Sequence, residues 1–310
     1  MRLAHCSDLH LLSHDGARWL ELANKRWIGA MNLLSNRSRH YHVTAFDDMI
    51  ADLNAVGVDH VLCTGDVTNL ALRQEFEFAR AKFAKLTCGP ERVTVIPGNH
   101  DAYVAAGIPL FNEVFGDLCT TDPGWAWTEA DAGPGETAAE LQWPIVHVRG
   151  ELAIIGLSTS RATPWFTAYG RVDVGQLKRL GRALGDPRLR GKVRVIAIHH
   201  PPAGKRAQSK IRGLRDHAAF AQVIGEFGAE LVVHGHEHRD MTEVIPGPHG
   251  PVTVRGIPSG TYHFNKPEKT ARYRLFEVLN GTIRELGVRV WDPQTHRFEA
   301  PAEPVVSAIA

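Results

Sequence analysis

The sequence predicts an α/β fold, and three observations carry that expectation. Short apolar runs alternate with helical stretches along most of the chain, the pattern of strands joined by helices. Five of those runs end in Asp, Asn or His, the residue types that hold metal ions. The last third changes to closely spaced strand-like runs with a tight turn between two of them, which calls for a second sheet. A chain of 310 residues is long enough to bury a sizeable core in one large domain, expected over residues 1–292 with a tail at 293–310.

Taken in order, residues 2–6 form the first apolar run, short and followed by a polar break. A longer stretch, 18–42, precedes a helix expected at 44–56, with Thr44 as its N-cap and Gly57 beyond its end. The run at 58–64 is followed by a helical pattern at 70–86, and the run at 92–97 by a Gly-, Pro-, Asp- and Thr-rich stretch at 116–143 that reads as a long surface loop. Trp125, Trp127 and Trp143 in that stretch suit either a satellite core or a wall for substrate. Further runs at 152–157, 193–198 and 230–234 alternate with helical patterns at 174–184 and 216–227. Runs at 252–257, 273–279 and 283–291 complete the strands, with Asn280-Gly281 as a hairpin turn, and Pro293 opens a loose Pro- and Ala-rich tail.

Lys plus Arg is 35 against 34 for Asp plus Glu, a net charge of +1 that argues against a protein coating a polyanion. Charged residues at 22% and hydrophobic residues at 44% are globular values, which excludes disorder for the bulk of the chain. Apolar runs stay well short of the roughly 18–20 residues of a membrane helix. The cysteines Cys6, Cys63, Cys88 and Cys119 form no C-x-x-C pair, which speaks against a cysteine zinc site. Cys6 and Cys63 lie in apolar runs and read as buried thiols, so a reducing cytoplasm is the expected compartment. The first ten residues read as a strand ending in Asp8 and His10, without a small-residue cleavage site.

Histidine is the outlier at 17 copies. The first run leads to Asp8 and His10, the second to Asp66, the third to Asn99, His100 and Asp101. The 193–198 run leads to His199 and His200, and the 230–234 run to His236 and His238. Ligand sites in open α/β sheets lie beyond the carboxyl ends of strands, so neighbouring strands would bring these residues to one rim. In extended chain, residues i and i+2 point the same way, which lets Asp8 join His10 and His236 join His238. Gly65, Gly98 and Gly235 precede ligand types and permit sharp turns. Asp8, His10, Asp66, Asn99, His199, His236 and His238 are too many for one tetrahedral ion and suit two ions sharing a carboxylate. Mixed imidazole and oxygen donors favour divalent or mixed-valence Fe, Mn or Zn over calcium or magnesium alone. His5, His60, His147 and His234 sit within strands and read as packing residues.

Asp8-Leu9-His10, Gly65-Asp66, Gly98-Asn99-His100-Asp101, His199-His200-Pro201-Pro202 and Gly235-His236-Glu237-His238 together resemble the signature of the calcineurin-like metallophosphoesterase superfamily, with a box similar to that of its bacterial cyclic-nucleotide phosphodiesterase branch. The resemblance implies a four-layer α/β/β/α sandwich with two packed mixed sheets. It implies one metal held by Asp8, His10, Asp66 and His238 and another by Asp66, Asn99, His199 and His236, with His200 only a neighbour of His199. It further implies a hydroxide between the ions as nucleophile on phosphorus, with His100 contacting the phosphate and protonating the leaving oxygen. Asp101 would either orient the His100 imidazole or merely cap a turn.

Two features bear on substrate. In 18–42, Trp19, Leu20, Ala23, Trp27, Ala30, Met31 and Leu34 recur near helical spacing, followed by Arg37, Arg39, His40 and His42. A packed helix, a lid, or a helix lying on a membrane surface each fit. Lys205, Arg206, Lys210, Arg212 and Arg215 follow His199 and suit a small phosphoester with more than one phosphate, or a nucleotide. Nucleic acid is disfavoured, because no basic stripe is interleaved with aromatics. The leading expectation is therefore a small-molecule phosphodiesterase in the cytoplasm or at the inner membrane face. The competing readings are a membrane-surface pyrophosphatase of the kind that cleaves UDP-diacylglucosamine in lipid A synthesis, a non-enzymatic scaffold, and a DNA-repair nuclease of the same fold.

Overall fold

A computed structural model describes residues 1–12, 40–133 and 135–300. Residues 18–39 of the expected insert, and 301–310 of the tail, lie outside the described residues.

The strands are β1 Arg2–Cys6, β2 His60–Cys63, β3 Val93–Val95, β4 Ile145–Arg149, β5 Leu152–Gly156, β6 Val193–Ala197, β7 Leu231–His234, β8 Met241–Gly247, β9 Gly250–Gly256, β10 Arg272–Leu279, β11 Thr282–Asp292 and β12 Arg297–Glu299. They form two sheets, ordered β12-β11-β10-β1-β2-β3 and β4-β5-β6-β7-β9-β8. Both are mixed. β1, β2 and β3 run parallel, as do β5, β6, β7 and β9, and the remaining pairs are antiparallel. The helices of eight residues or more are α1 Val43–Val56, α2 Arg73–Phe83, α3 Gly107–Val114, α4 Val174–Leu184 and α5 His217–Phe227.

Side-chain alternation sorts the core into layers. On the second sheet Ile154, Val195 and Val233 face the first sheet and join Leu3, Phe46, Met49 and Tyr273 in one cluster. Their neighbours Ile155, Ile196 and Val232 face the other way, onto Leu180 of α4 and Phe220 and Ile224 of α5. Helices therefore cover the outer face of each sheet, giving the expected α/β/β/α sandwich. Phe46 and Phe220 are fully buried, and truncating either to Ala would cost about 3–5 kcal/mol.

The differences from expectation have local causes. Helix α1 starts at Val43 with His42 as N-cap, not at Thr44. The His42 N–H donates to Thr261 O at 2.9 Å, and that tertiary tie fixes where the helix begins. Its end is as read, with Gly57 in the left-handed region at φ 68°. The Asn280-Gly281 turn also has both residues left-handed, at φ 51° and 70°. The tail is not loose throughout: β12 pairs with β11 and buries Phe298. The 116–143 stretch contains three single helical turns and its tryptophans join cores. Trp143 lies in the inter-sheet cluster, while Trp125 and Trp127 pack on the helix-covered face of the second sheet. The in-strand histidines pack as read. His60 Nε2 and His147 Nδ1 share Thr94 Oγ1 at 2.8 and 2.7 Å, and His5 Nε2 meets Thr64 Oγ1 at 2.9 Å.

Candidate metal centre

Because β1–β3 are parallel in one sheet and β6 and β7 in the other, the loops that follow them leave at one edge of the sandwich. Asp8 and His10 come from the loop after β1, Asp66 from that after β2, and Asn99 and His100 from that after β3. His199 follows β6, and His236 and His238 follow β7.

All seven expected ligands meet there. Asp8 Oδ1 lies 3.0 Å from His238 Nε2, which lies 3.3 Å from His10 Nε2. Asp66 Oδ2 stands 3.9 Å from His10 Nε2 and 3.5 Å from His199 Nε2. Asn99 Oδ1 sits 3.1 Å from His199 Nε2 and 2.7 Å from His236 Nδ1. Only His238 and Asn99 keep noticeable exposure; the other five are buried.

The backbone that aims these groups is not extended, which corrects the alternation argument for the Asp8/His10 and His236/His238 pairs. Asp8, His10, Asp66, His236 and His238 all have positive φ, between 45° and 69°. Left-handed backbone at a non-glycine residue costs of order 1–3 kcal/mol and persists only where its surroundings enforce it. The enforcing contacts are present. Asp8 N donates to Gly65 O and His10 N to Asp66 O, both at 2.9 Å. Ser259 Oγ donates to Asp8 O at 2.6 Å, Thr261 Oγ1 to Leu9 O at 2.6 Å, and Asn69 Nδ2 to His10 O at 2.7 Å. At Gly98 a Cβ would collide with the Asp66 amide and carboxylate, so only glycine lets the loops after β2 and β3 close on each other.

Among the described residues, three groups each offer ligand atoms within 4.8 Å of one another: Asp8, His10 and His238; Asp8, Asp66 and His199; and His10, Asp66 and His100. His236 Nε2 is buried with no hydrogen-bond partner among the described residues. A buried ring nitrogen without a partner, imidazoles aimed at one another, and carboxylates between them are poor internal solvation but a good cation cage. The residues present therefore fit transition-metal ions.

The local electrostatics agree. Burial pushes the Asp66 carboxyl up, but His199, His100 and His10 together hold it well below the usual range. Asp8 behaves likewise, with His238 opposing its burial. For His199, burial lowers the ring and the Asp66 and Asp8 carboxylates override it, raising it to about 9. His236 is driven well down by burial, then by His200 and His199, so it stays neutral and able to ligate. His199 Nδ1 is fixed by Thr64 O at 2.7 Å, which leaves Nε2 for the site. His200 instead turns away, to Thr159 Oγ1 at 2.7 Å and Ala168 O at 3.1 Å, and takes no part.

His100 stands at the mouth. Its Nδ1 meets Asn69 O at 2.8 Å, so that nitrogen carries the proton. Its backbone N–H donates to Asp66 Oδ1 at 2.7 Å, and Tyr103 stacks on its ring with centroids 5.8 Å apart. Asp101 is tied to the backbone of both loops. Both Asp101 oxygens are taken, by the N–H groups of Gly98, Val67 and Thr68 and by Thr68 Oγ1. Asp101 is a turn pin between the loops after β2 and β3, and burial together with the Asp66 charge raises it to about 7.

Sequence reasoning missed the residues that hold the ligands. Tyr41 OH lies 3.3 Å from His238 Nδ1, and Asn69 serves both His10 and His100. Ser259 follows β9, another parallel strand leaving at the same edge; that position was the available signal, but serine does not announce itself as a ligand type.

A family model described as calcineurin-like phosphoesterase matches residues 1–240. Among solved structures, a dimetal phosphatase from Danio rerio is 11% identical, with a TM-score of 0.58, covering 100% of this chain and 99% of that one. The purple acid phosphatase PPD1 from yellow lupin seeds is 10% identical, with a TM-score of 0.56, covering 96% of this chain and 52% of its own length. No curated protein matches the sequence.

Proposed function

The chain belongs to the calcineurin-like phosphoesterase family, and on that premise we propose that it is a two-metal phosphodiesterase of small, nucleotide-like phosphoesters. The observation that carries this reading is the position of Asp66, whose carboxylate lies between His10 of one cluster and His199 of the other. Asp8, His10, Asp66 and His238 would hold one ion, and Asp66, Asn99, His199 and His236 the other. Bound there, Fe, Mn or Zn ions supply Lewis acidity and acidified water.

The chain's own residues do the rest. Asn69 O keeps the proton on His100 Nδ1, and a second proton on the ring is the one His100 would give up as general acid. As the P–O bond to the leaving group breaks, that proton passes to the departing oxygen, and His100 ends neutral. Tyr103 stacks on the ring and limits its rotation. Asp8, His10 and Asp66 have their backbones pinned before substrate arrives, so little reorganisation is left for the reaction. Free thiols at Cys6, Cys63, Cys88 and Cys119 support a reducing, cytoplasmic setting. Among the described residues no helix is long and apolar enough to cross a membrane.

The test is a panel of cyclic nucleotides, glycerophosphodiesters, nucleotide sugars and simple monoesters offered to metal-loaded protein. Diesters should turn over fastest. A preference for monoesters would overturn the diesterase reading and leave the phosphoesterase family assignment standing.

A further inference from the structure

The outer surface of this edge differs from the rest of the molecule in two ways. Trp165, Phe166, Ile211 and Phe264 all project into solvent, with Phe166 83% exposed, and they are half of the large exposed apolar side chains among the described residues. Phe166 also holds a positive φ of 64°, so its loop spends backbone strain on keeping an aromatic ring outside the core. The loops that carry Trp165, Phe166 and Ile211 are joined. Ala168 N donates to Ile211 O at 2.9 Å and Gly170 N to Gly213 O at 3.0 Å. Arg212 Nη2 reaches His236 O at 3.3 Å, which links the same surface to the loop after β7.

The second difference is charge. Several arginines on the body of the protein are neutralised, as in Arg73–Glu113, Arg194–Glu230 and Arg289–Asp52. On these loops Lys205, Lys210, Arg239, Lys266 and Lys269 form no ion pair among the described residues. Lys269 is crowded by other cations: burial lowers its ammonium first, and the charges of Arg239, Lys266 and Arg212 lower it further. Glu268 is the acid facing it, and Glu237 and Asp240 nearby are already paired with Arg206 and Arg274. Like charges gathered without counter-charges oppose folding, and their retention asks for an anion outside the chain.

We propose that this edge docks onto an anionic phospholipid surface. Aromatic tips ringed by Lys and Arg are the arrangement that settles at a bilayer interface, where the rings enter the headgroup region and the cations meet lipid phosphates. A soluble polyanion would answer the cations and leave Trp165 and Phe166 uncovered. Docking would set the metal cluster at the membrane surface and extend the enzyme's reach to phosphoesters held in lipid headgroups.

The test is co-sedimentation of the full chain with phosphatidylcholine vesicles, with and without phosphatidylglycerol, beside an assay on a soluble chromogenic diester. Binding should need phosphatidylglycerol and weaken as salt rises. W165S/F166S should lose about tenfold or more in binding, and K266E/K269E about 25-fold or more, each charge near the surface being worth roughly fivefold. W165S/F166S should keep the wild-type melting temperature, K266E/K269E should match or exceed it, and both should keep the soluble activity. No sedimentation with anionic vesicles overturns the proposal. So does binding that survives W165S/F166S but not K266E/K269E, which would make the patch a subsite for soluble polyanions. Vesicle binding is read without turnover, so its failure leaves the phosphoesterase reading untouched.

Discussion

Asp66 and His199 come from different sheets, yet Asp66 Oδ2 lies 3.5 Å from His199 Nε2 at the floor of the cluster. Each depends on the other: His199 is the strongest attraction holding Asp66 ionised against its burial, and Asp66 the strongest one favouring a proton on His199. Two opposite charges buried face to face, with His10 on the far side of the same carboxylate at 3.9 Å, mark the seat that cations would take over when they displace the imidazole protons.

Asp66→Asn removes the shared charge and keeps the shape. Metal content per chain and turnover should both fall, with turnover lost. Retention of both ions, measured by elemental analysis after gel filtration, would show that Asp66 is not shared.

His100→Ala should leave metal content unchanged and slow hydrolysis by about 100- to 10,000-fold, the range for a lost general acid. The deficit should shrink for a leaving group that is stable as an anion. An equal deficit for good and poor leaving groups would mean that His100 contacts phosphate and transfers no proton.

Asp101→Asn tests the turn-pin assignment. An amide cannot accept from Gly98, Val67 and Thr68 at once, so a buried N–H loses its partner at about 1–3 kcal/mol. The melting temperature should drop while the pH profile of turnover keeps its shape. A shifted profile with unchanged stability would put Asp101 in proton transfer after all.

Glu75 gives a pH-dependent stability. Burial raises its carboxyl to about 7 against the partial relief of N–H groups from Leu70 and Leu72. Between about pH 4.5 and 7 the folded protein keeps a proton that the unfolded chain has lost. The contribution is therefore full below the unfolded value and fades as pH rises through the folded one, at up to about 1.4 kcal/mol per unit. Glu75→Gln lacks this slope and should gain on the wild type from pH 5 to pH 8 in denaturant titrations. A parallel pair of curves would place an ionised Glu75 in the fold.

Much of this was readable in the chain because the ligands stand one to four residues beyond apolar runs, and the parallel topology that gathers such ends follows from strand–helix alternation. What could not be read was set by contacts between distant segments. The left-handed backbone at Asp8 and His10 depends on Ser259, Thr261 and Asn69, which lie far away in sequence. His42 replaced Thr44 as the cap because Thr261 holds it. Strand β8 stayed hidden because, half-exposed and ending in Pro246-Gly247, it lacks an apolar run, being an edge strand that buries little beyond Ile245. Asp101 reads the same in sequence whether it orients a ring or caps a turn, and its partners Val67 and Thr68 come from a loop more than thirty residues away.

The central claim is a pair of ions sharing Asp66. Crystals of protein loaded with manganese, with diffraction recorded at the metal absorption edge, test it most directly. Two anomalous peaks should appear, separated by about 3.5–4 Å, with the Asp66 carboxylate between them. A single peak, or two peaks neither of which Asp66 touches, would contradict the account.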